Sequence, residues 1–125
     1  MAPPRTYRCE AIILGYTPLG ESDLLVTMYT RDQGKVKAVG KGARRSTSKL
    51  VGHLEPLTMV RMSMAHGRNM DIISQAEVVQ SFSVLKEDLL AITKGLYLAE
   101  LVDGFGAEES PNPELFRLMI DTLQA

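Results

Sequence analysis

The residues of this sequence best suited to ligand chemistry are closely spaced cations. Residues 31–49 contain seven Lys or Arg and a single acid, Asp32, although the whole chain has a formal net charge of −1. Within residues 40–49 the cations alternate with glycines and hydroxyl side chains, so backbone N–H groups and positive charges can approach a polyanion together. The spacing therefore predicts a surface that contacts phosphates, with nucleic acid as its ligand.

The predicted contacts include cations outside this window as well. The main candidates lie on one strand and the loop after it: Lys35, Lys37, Lys41, Arg44, Arg45 and Lys49. Additional candidates are Arg8, Arg61 and Arg68, with Tyr16 as a platform for stacking a base. Because the chain has no Trp and only four Tyr, binding should depend on phosphates and discriminate sequence poorly. A solvated loop without a ligand is the alternative interpretation of the basic stretch.

The patterns expected of an enzyme are missing from the sequence. There is no phosphate loop of the Walker type and no Gly-x-Ser-x-Gly motif, and no carboxylate pair is spaced for acid–base catalysis. His53 and His66 fall on separate loops, which makes a shared metal site improbable. The single cysteine, Cys9, excludes an internal disulfide and is interpreted as a small buried hydrophobic residue. We predict a non-enzyme that holds no metal within these residues.

Strand patterns dominate the first two thirds of the chain. Apolar residues alternate or cluster in short runs at 8–17, 23–30, 35–39, 57–65 and 70–79, and turn sequences separate these runs. In the third run Lys35 and Lys37 should point outward, while Val36 and Ala38 point inward. Met59 should lie on the face opposite Met62, where helices could cover it. Five strands with two hairpins predict a small oligonucleotide-binding (OB) barrel.

Helical spacing replaces the strand patterns after Phe82. Ser83 is a candidate N-cap for one amphipathic helix ending near Gly104, and Asn112 is a candidate N-cap for a second. The apolar face of the first helix is predicted to comprise Val84, Leu85, Leu89, Ile92, Leu96, Tyr97, Leu101, Val102 and Phe105. The expected fold is therefore mixed, β followed by α, with the helices forming the start of a helical domain.

Charge divides the chain in the same place. Residues 1–80 carry eleven basic and seven acidic residues, a net charge of +4, whereas residues 81–125 carry three and eight, a net charge of −5. We expect a barrel domain at 1–80 and a truncated helical domain at 81–125. No apolar run approaches the length of a membrane span, and no signal peptide is evident. A reducing cytoplasm is the expected location, without membrane association.

Several segments together resemble the bacterial RecO family of recombination mediators. They are Tyr7-Arg8-Cys9-Glu10-Ala11-Ile12-Ile13-Leu14, Gly20-Glu21-Ser22-Asp23, Gly34 to Arg45, Gly52-His53-Leu54-Glu55-Pro56 and Tyr97-Leu98-Ala99-Glu100-Leu101. The resemblance implies an N-terminal OB barrel followed by a helical domain. It also implies a non-catalytic, nucleoid-associated protein of recombinational DNA repair that binds single- and double-stranded DNA, anneals strands and assists recombinase loading.

Partners and cofactors also follow from the resemblance. RecR is an expected partner, and so is the single-strand-binding protein, whose contact would require the remainder of the helical domain. Family members often carry a four-cysteine zinc site beyond this region, so no cofactor is expected here. Two other interpretations stay open on the residues alone: an OB module that docks an acidic protein, and one that binds RNA.

Overall fold

Five strands and three helices make up the part of the chain that the computed structural model describes, residues 6–43, 53–105 and 112–124. The strands are β1 (Thr6–Leu19), β2 (Asp23–Thr30), β3 (Gly34–Gly40), β4 (Met59–Ala65) and β5 (Asp71–Gln80), and the helices are α1 (Ser83–Lys86), α2 (Leu89–Phe105) and α3 (Pro113–Gln124). The strands close into a barrel in the order β1-β2-β3-β5-β4. This Greek-key order confirms the predicted OB-type barrel followed by helices.

The barrel interior is filled by the inward residues of each alternating strand. On β3, Val36 and Ala38 are buried, whereas Lys35 and Lys37 point outward as predicted. Cys9 is also buried in this core. Burial, followed by the charges of Asp32 and Asp71, raises the pKa of its thiol from 9.0 to about 11. At neutral pH the thiol is therefore protonated, which agrees with a packing role rather than a nucleophilic one.

The alternation of side chains along β1 allows a single strand to serve two cores. The register of β1 on β2 shifts between Ile13 and Gly15. Ile13 faces the barrel interior, while Ile12 and Leu14 belong to a second core beneath the helices. The segment before β4 is attached here, since the Leu57 N–H donates to the Ile13 carbonyl at 2.9 Å.

The fourth strand begins later than the sequence pattern predicted. It starts at Met59 rather than at residue 57. Leu57 has a φ of 60°, a left-handed conformation that cannot continue a strand. Its side chain is only 2% exposed and packs in the second core. Met59 also lies in that core, whereas Met62 lies in the barrel interior, so the two side chains are on opposite faces of β4 as predicted.

The expected single helix after Phe82 is in fact two helices. α1 ends at Lys86 and α2 begins at Leu89. Asp88 separates them because its Oδ1 accepts the N–H of Leu90 at 2.9 Å, and this capping bond starts a new helix. Ser83 is not the N-cap of α1; that position is held by Phe82 in a left-handed conformation. The predicted cap of α3 is confirmed by the Leu115 N–H, which donates to Asn112 Oδ1 at 3.1 Å.

The buried face of α2 agrees only in part with the predicted one, since Ile92 and Val102 pack in the second core as predicted. The residues facing the barrel are small, with Gly95 and Ala99 buried beside Val102. Larger apolar residues of the predicted face are instead exposed: Leu89 (80%), Tyr97 (62%), Leu96 (43%) and Leu101 (37%), together with Val84 of α1 (76%). Small residues allow the helix axis to come close to the underlying core, and periodicity alone cannot choose between two apolar faces.

Polar contacts also attach the helices to the barrel side. The Lys86 ammonium donates to Thr58 Oγ1 at 2.9 Å. Burial lowers the pKa of Lys86, against the opposing effect of the Glu55 carboxylate. Arg31, after β2, stacks its guanidinium over the Phe116 ring of α3, 4.8 Å from the ring centroid. Among the described residues, no helix is both long and apolar enough to span a membrane.

Gly95 provides a direct test of the close approach of α2. A Cβ added there would lie 2.9 Å from Leu57 Cδ1 and 3.5 Å from Leu123 Cδ2. We expect Gly95→Val to lower the free energy of unfolding by about 2 kcal/mol, because both neighbours are buried and cannot move aside. Urea denaturation measures this change. Gly104→Val is the matched control in the same helix, since nothing lies within 4 Å of its added Cβ, and an equal loss in both variants would contradict the packing argument.

Candidate nucleic-acid interface

The outer face of β3 carries the first two predicted phosphate contacts. Lys35 is paired with Tyr29 and Lys37 with Thr27 of β2, which places both cations on the outside of the barrel. Lys37 is exposed, and Lys41 is exposed in the turn directly after the strand. The alternation of β3 thus directs Lys37 outward and leaves Lys41 at the end of the same strand.

Lys35 differs from these two because it contacts the end of α2. Its Nζ donates to the Asp103 carbonyl oxygen at 2.8 Å and lies 2.8 Å from Asp103 Oδ1. The Lys35 side chain is only 14% exposed. The carbonyl is among the last of the helix, where a cation also interacts favourably with the helix dipole. Lys35 therefore joins the barrel to the helices, and its predicted role as a phosphate contact stays a prediction.

Removing the carboxylate of Asp103 separates these two roles. We expect Asp103→Asn to lower the free energy of unfolding by about 1 kcal/mol or less, because the carboxylate is half exposed. If Lys35 also contacts phosphate, the same variant should bind DNA more tightly, since a competing negative charge has been removed. Urea denaturation and fluorescence anisotropy on the same sample measure both effects. Unchanged affinity with reduced stability would assign Lys35 to helix attachment alone.

The beginning of the basic loop is held in place by Asp23. Its Oδ1 accepts the Gly42 N–H at 2.7 Å, and Gly42 has a φ of 66°, which favours glycine. Ala43 next to it is fully buried. Lys41 consequently lies in a turn whose backbone is held by a hydrogen bond to Asp23. Arg44, Arg45 and Lys49, predicted to continue this surface, lie outside the described residues.

The turn between β4 and β5 lies beside the start of β3. A groove of about 310 Å³ between them is lined by Gln33, Lys35, Lys37 and Asn69 among others. The sequence interpretation did not include Gln33 and Asn69. Both residues lie in hairpin turns, and this position could have identified them, because turn residues beside a basic strand can reach the same ligand.

Three side chains fix the base of that turn. The Tyr7 hydroxyl donates to Asp71 Oδ2, and His66 Nδ1 lies 3.4 Å from Asp71 Oδ1. The Tyr7 and His66 rings are 4.8 Å apart between centroids. Arg68, an additional predicted contact, is exposed within this turn, three residues before Asp71.

The other additional candidates lie on different parts of the barrel. Tyr16 is opposite Val26 near the β1–β2 turn and is 41% exposed. Arg8 and Arg61 are exposed on β1 and β4, and Arg61 NH2 lies 3.7 Å from Glu10 Oε2. Lys37 and Arg68 therefore occupy the strand and loop regions by which OB barrels bind oligonucleotides, and Tyr16 lies on β1 close to one of those loops. Arg8 and Arg61 form a separate pair.

Within residues 6–43, 53–105 and 112–124, no three His, Cys, Asp or Glu side chains are grouped closely enough to hold a metal ion. The groove beside β3 presents the cations of Lys35 and Lys37 and the amides of Gln33 and Asn69. These groups bind phosphates and base edges.

Two family profiles match nearly the whole sequence. Residues 1–82 match the profile described as Recombination protein O N terminal, and residues 86–125 match Recombination protein O C terminal. The boundary between the two matches falls near the start of α1, where the strands give way to helices.

Curated bacterial relatives are similar over most of the chain. The DNA repair protein RecO of Pelotomaculum thermopropionicum is 38% identical over 96% of this chain and 47% of its own length. The proteins of the same name from a Nocardioides species and from Dehalococcoides mccartyi are 45% and 36% identical, over 95% and 99% of this chain and 50% and 49% of their own lengths. The chain thus spans about half the length of these relatives.

Proposed function

Because this chain belongs to the recombination protein O family, we propose that it is the DNA-binding part of a DNA repair protein and works without catalysis. The observation that supports this most directly is the exposure of Lys37 in the middle of β3 and of Lys41 directly after that strand. The residues by which OB barrels bind oligonucleotides come from strands 2 and 3 and from the β1–β2 and β4–β5 loops. In this barrel those regions contain Lys37 on β3 and Arg68 between β4 and β5, and Tyr16 lies on β1 close to the β1–β2 loop.

The proposed mechanism is electrostatic. Lys37, Lys41 and the basic loop neutralise phosphates of a bound strand and release its counterions, which contributes most of the affinity. A strand with fewer uncompensated charges repels a complementary strand less, and annealing becomes easier. With few aromatic side chains near these cations, base identity should matter little.

The wider role of the whole protein follows from the same proposal. Single- and double-stranded DNA would both be ligands, and strand annealing and recombinase loading together with RecR would be the outcome. Contact with the single-strand-binding protein would involve further helical sequence. A cytoplasmic, nucleoid-associated location is consistent with these ligands.

A salt series tests the DNA-binding proposal. We expect log K for a fluorescein-labelled 20-nucleotide strand to fall linearly with log salt at a slope of about −2 to −4, corresponding to about three to five phosphate contacts. Fluorescence anisotropy between 20 and 200 mM NaCl measures the slope for DNA and for RNA of the same sequence. Absence of binding at the lowest salt would contradict the proposal and favour an acidic protein ligand. A clear preference for RNA would favour the RNA-binding interpretation.

A further inference from the structure

A second groove crosses the outer surface of β1, β4 and β5. It encloses about 370 Å³, and the residues lining it include Arg8, Arg61, Ser74, Gln75 and His53. Going around the barrel, β4 is two strands from β3 in one direction and three in the other. Although β5 also pairs with β3, this groove shares none of its described lining residues with the groove beside Lys37, and we treat it as a separate surface.

An irregularity in β5 creates the polar side of the groove. Ser63 is opposite Gln75, but the next pair is Met64 with Ile73, so Ser74 is an extra residue in β5. Ile73 is buried, while Ser74 and Gln75 are both exposed in succession. The Ser74 hydroxyl donates to the Ser63 carbonyl oxygen at 3.0 Å. Such bulges redirect side chains, and here the bulge sets an amide beside a hydroxyl on one face.

His53 forms one edge of the groove. Its Nδ1 is 2.9 Å from the Ala76 carbonyl oxygen, a contact that requires the proton on Nδ1. In the neutral ring Nε2 is then an acceptor. Parallel pairing of β5 with β3 covers only Asp71 and Ile72, which leaves space for the imidazole along the rest of the strand. The ring is held at a fixed position beside Gln75 by this hydrogen bond.

Two arginines form the opposite side. Arg8 is paired with Ser63, and Arg61 is two residues before Ser63 on β4, so the two arginines are diagonal neighbours with Cα atoms roughly 7–8 Å apart. Guanidinium groups at this distance can bind one phosphate and also stack on a base. A guanidinium stacked on the base would take the place of an aromatic side chain, since aromatic residues are scarce in this chain.

The distribution of charge identifies the ligand. Arg61 NH2 lies 3.7 Å from Glu10 Oε2, and Arg61 is paired across the strands with Glu77, which also lines the groove. That carboxylate repels a second negative group, so a polyacidic segment fits less well than a ligand with one negative charge and a neutral, hydrogen-bonding ring. We propose that this groove binds one nucleotide of a nucleic-acid strand, with its phosphate on Arg8 and Arg61 and its base against Gln75 and His53. The inference rests on the proposed function in that the ligand is nucleic acid.

Nuclear magnetic resonance of the ¹⁵N-labelled chain tests this site. Thymidine 5′-monophosphate should shift the backbone amides of Ser63, Gln75 and Ala76, and Arg8→Gln/Arg61→Gln should weaken its binding about tenfold. Lys94→Gln/Arg117→Gln has the same charge loss on the helices, where both side chains are exposed, and should change nucleotide affinity less than about twofold. Gln75→Ala, which alters no charge, should weaken nucleotide binding without affecting inorganic phosphate.

The comparison ligands determine which part of the inference fails. Equal affinity for inorganic phosphate would overturn the nucleotide assignment, and so would displacement of the nucleotide by a tetraglutamate peptide at lower concentration. Absence of shifts in the groove, while DNA still binds through Lys37 and Lys41, would overturn the second site alone. Loss of all DNA binding at low salt would overturn the proposed function itself.

Discussion

Lys37→Gln/Lys41→Gln is expected to weaken binding of single-stranded DNA about 25-fold at 0.1 M salt. Each phosphate contact with a single strand contributes about 0.7 to the slope of log K against log salt. Between 1 M and 0.1 M salt, one contact therefore raises the affinity about fivefold, and the factors for two contacts are multiplied. Both side chains are exposed, Lys37 in the middle of β3 and Lys41 directly after it, so their removal should not disturb the core. Anisotropy titration of a labelled strand measures the loss, and the salt slope should become less steep by about 1.4.

The matched control places the same charge loss on the helices. Lys94 and Arg117 are exposed on α2 and α3, and Lys94→Gln/Arg117→Gln should change the affinity less than about threefold. Equal losses in the two double variants would indicate a response to net charge and would contradict a localised site. Arg44→Gln/Arg45→Gln extends the test to the basic loop, where a further loss comparable to that of the strand variant is expected.

Phe116→Ala is expected to lower the free energy of unfolding by about 3–5 kcal/mol. The Phe116 ring is fully buried in the second core and carries the Arg31 guanidinium over its face. Truncation removes both the aromatic packing and this cation–π contact, and it leaves a cavity between α3 and the barrel. Urea denaturation followed by circular dichroism measures the change.

Leu118 is the control for this effect because it lies in the same helix but is 59% exposed. Leu118→Ala should change the free energy of unfolding by less than about 0.5 kcal/mol. A similar effect of both substitutions would mean that α3 contributes helix propensity rather than packing. If the helical signal of Phe116→Ala is lost at a urea concentration at which the strand signal remains, the substitution has destabilised the second core in particular.

The strands of this protein could be predicted because their information is local. Side chains alternate across a strand with a period of two, so the burial of Val36 and Ala38 and the outward position of Lys37 followed from neighbouring residues. The same rule placed Met59 opposite Met62. A side chain that caps a helix acts within three residues, and Asn112 could be recognised for that reason.

The helices show where local information ends. α2 is apolar on more than one side, and the selection of Gly95 and Ala99 as its packing face depends on Leu57 and Leu123, which are distant in sequence. The break between α1 and α2 likewise depends on Asp88, whose capping hydrogen bond competes with a continuous helix. The division into domains at residue 80 stays a prediction, since the second core combines residues from both sides of it.

The candidate interface combines both kinds of information. By itself the sequence determined that cations would lie outside on β3 and that they would accompany an OB-type barrel, because alternation and turns act between near neighbours. Only the tertiary structure decided that Lys35 contacts Asp103, 68 residues away, and that Arg8 and Arg61 share a groove with Ser74 and Gln75. Barrel closure and strand register determine which residues distant in sequence come into contact, and both arise from packing of the whole chain.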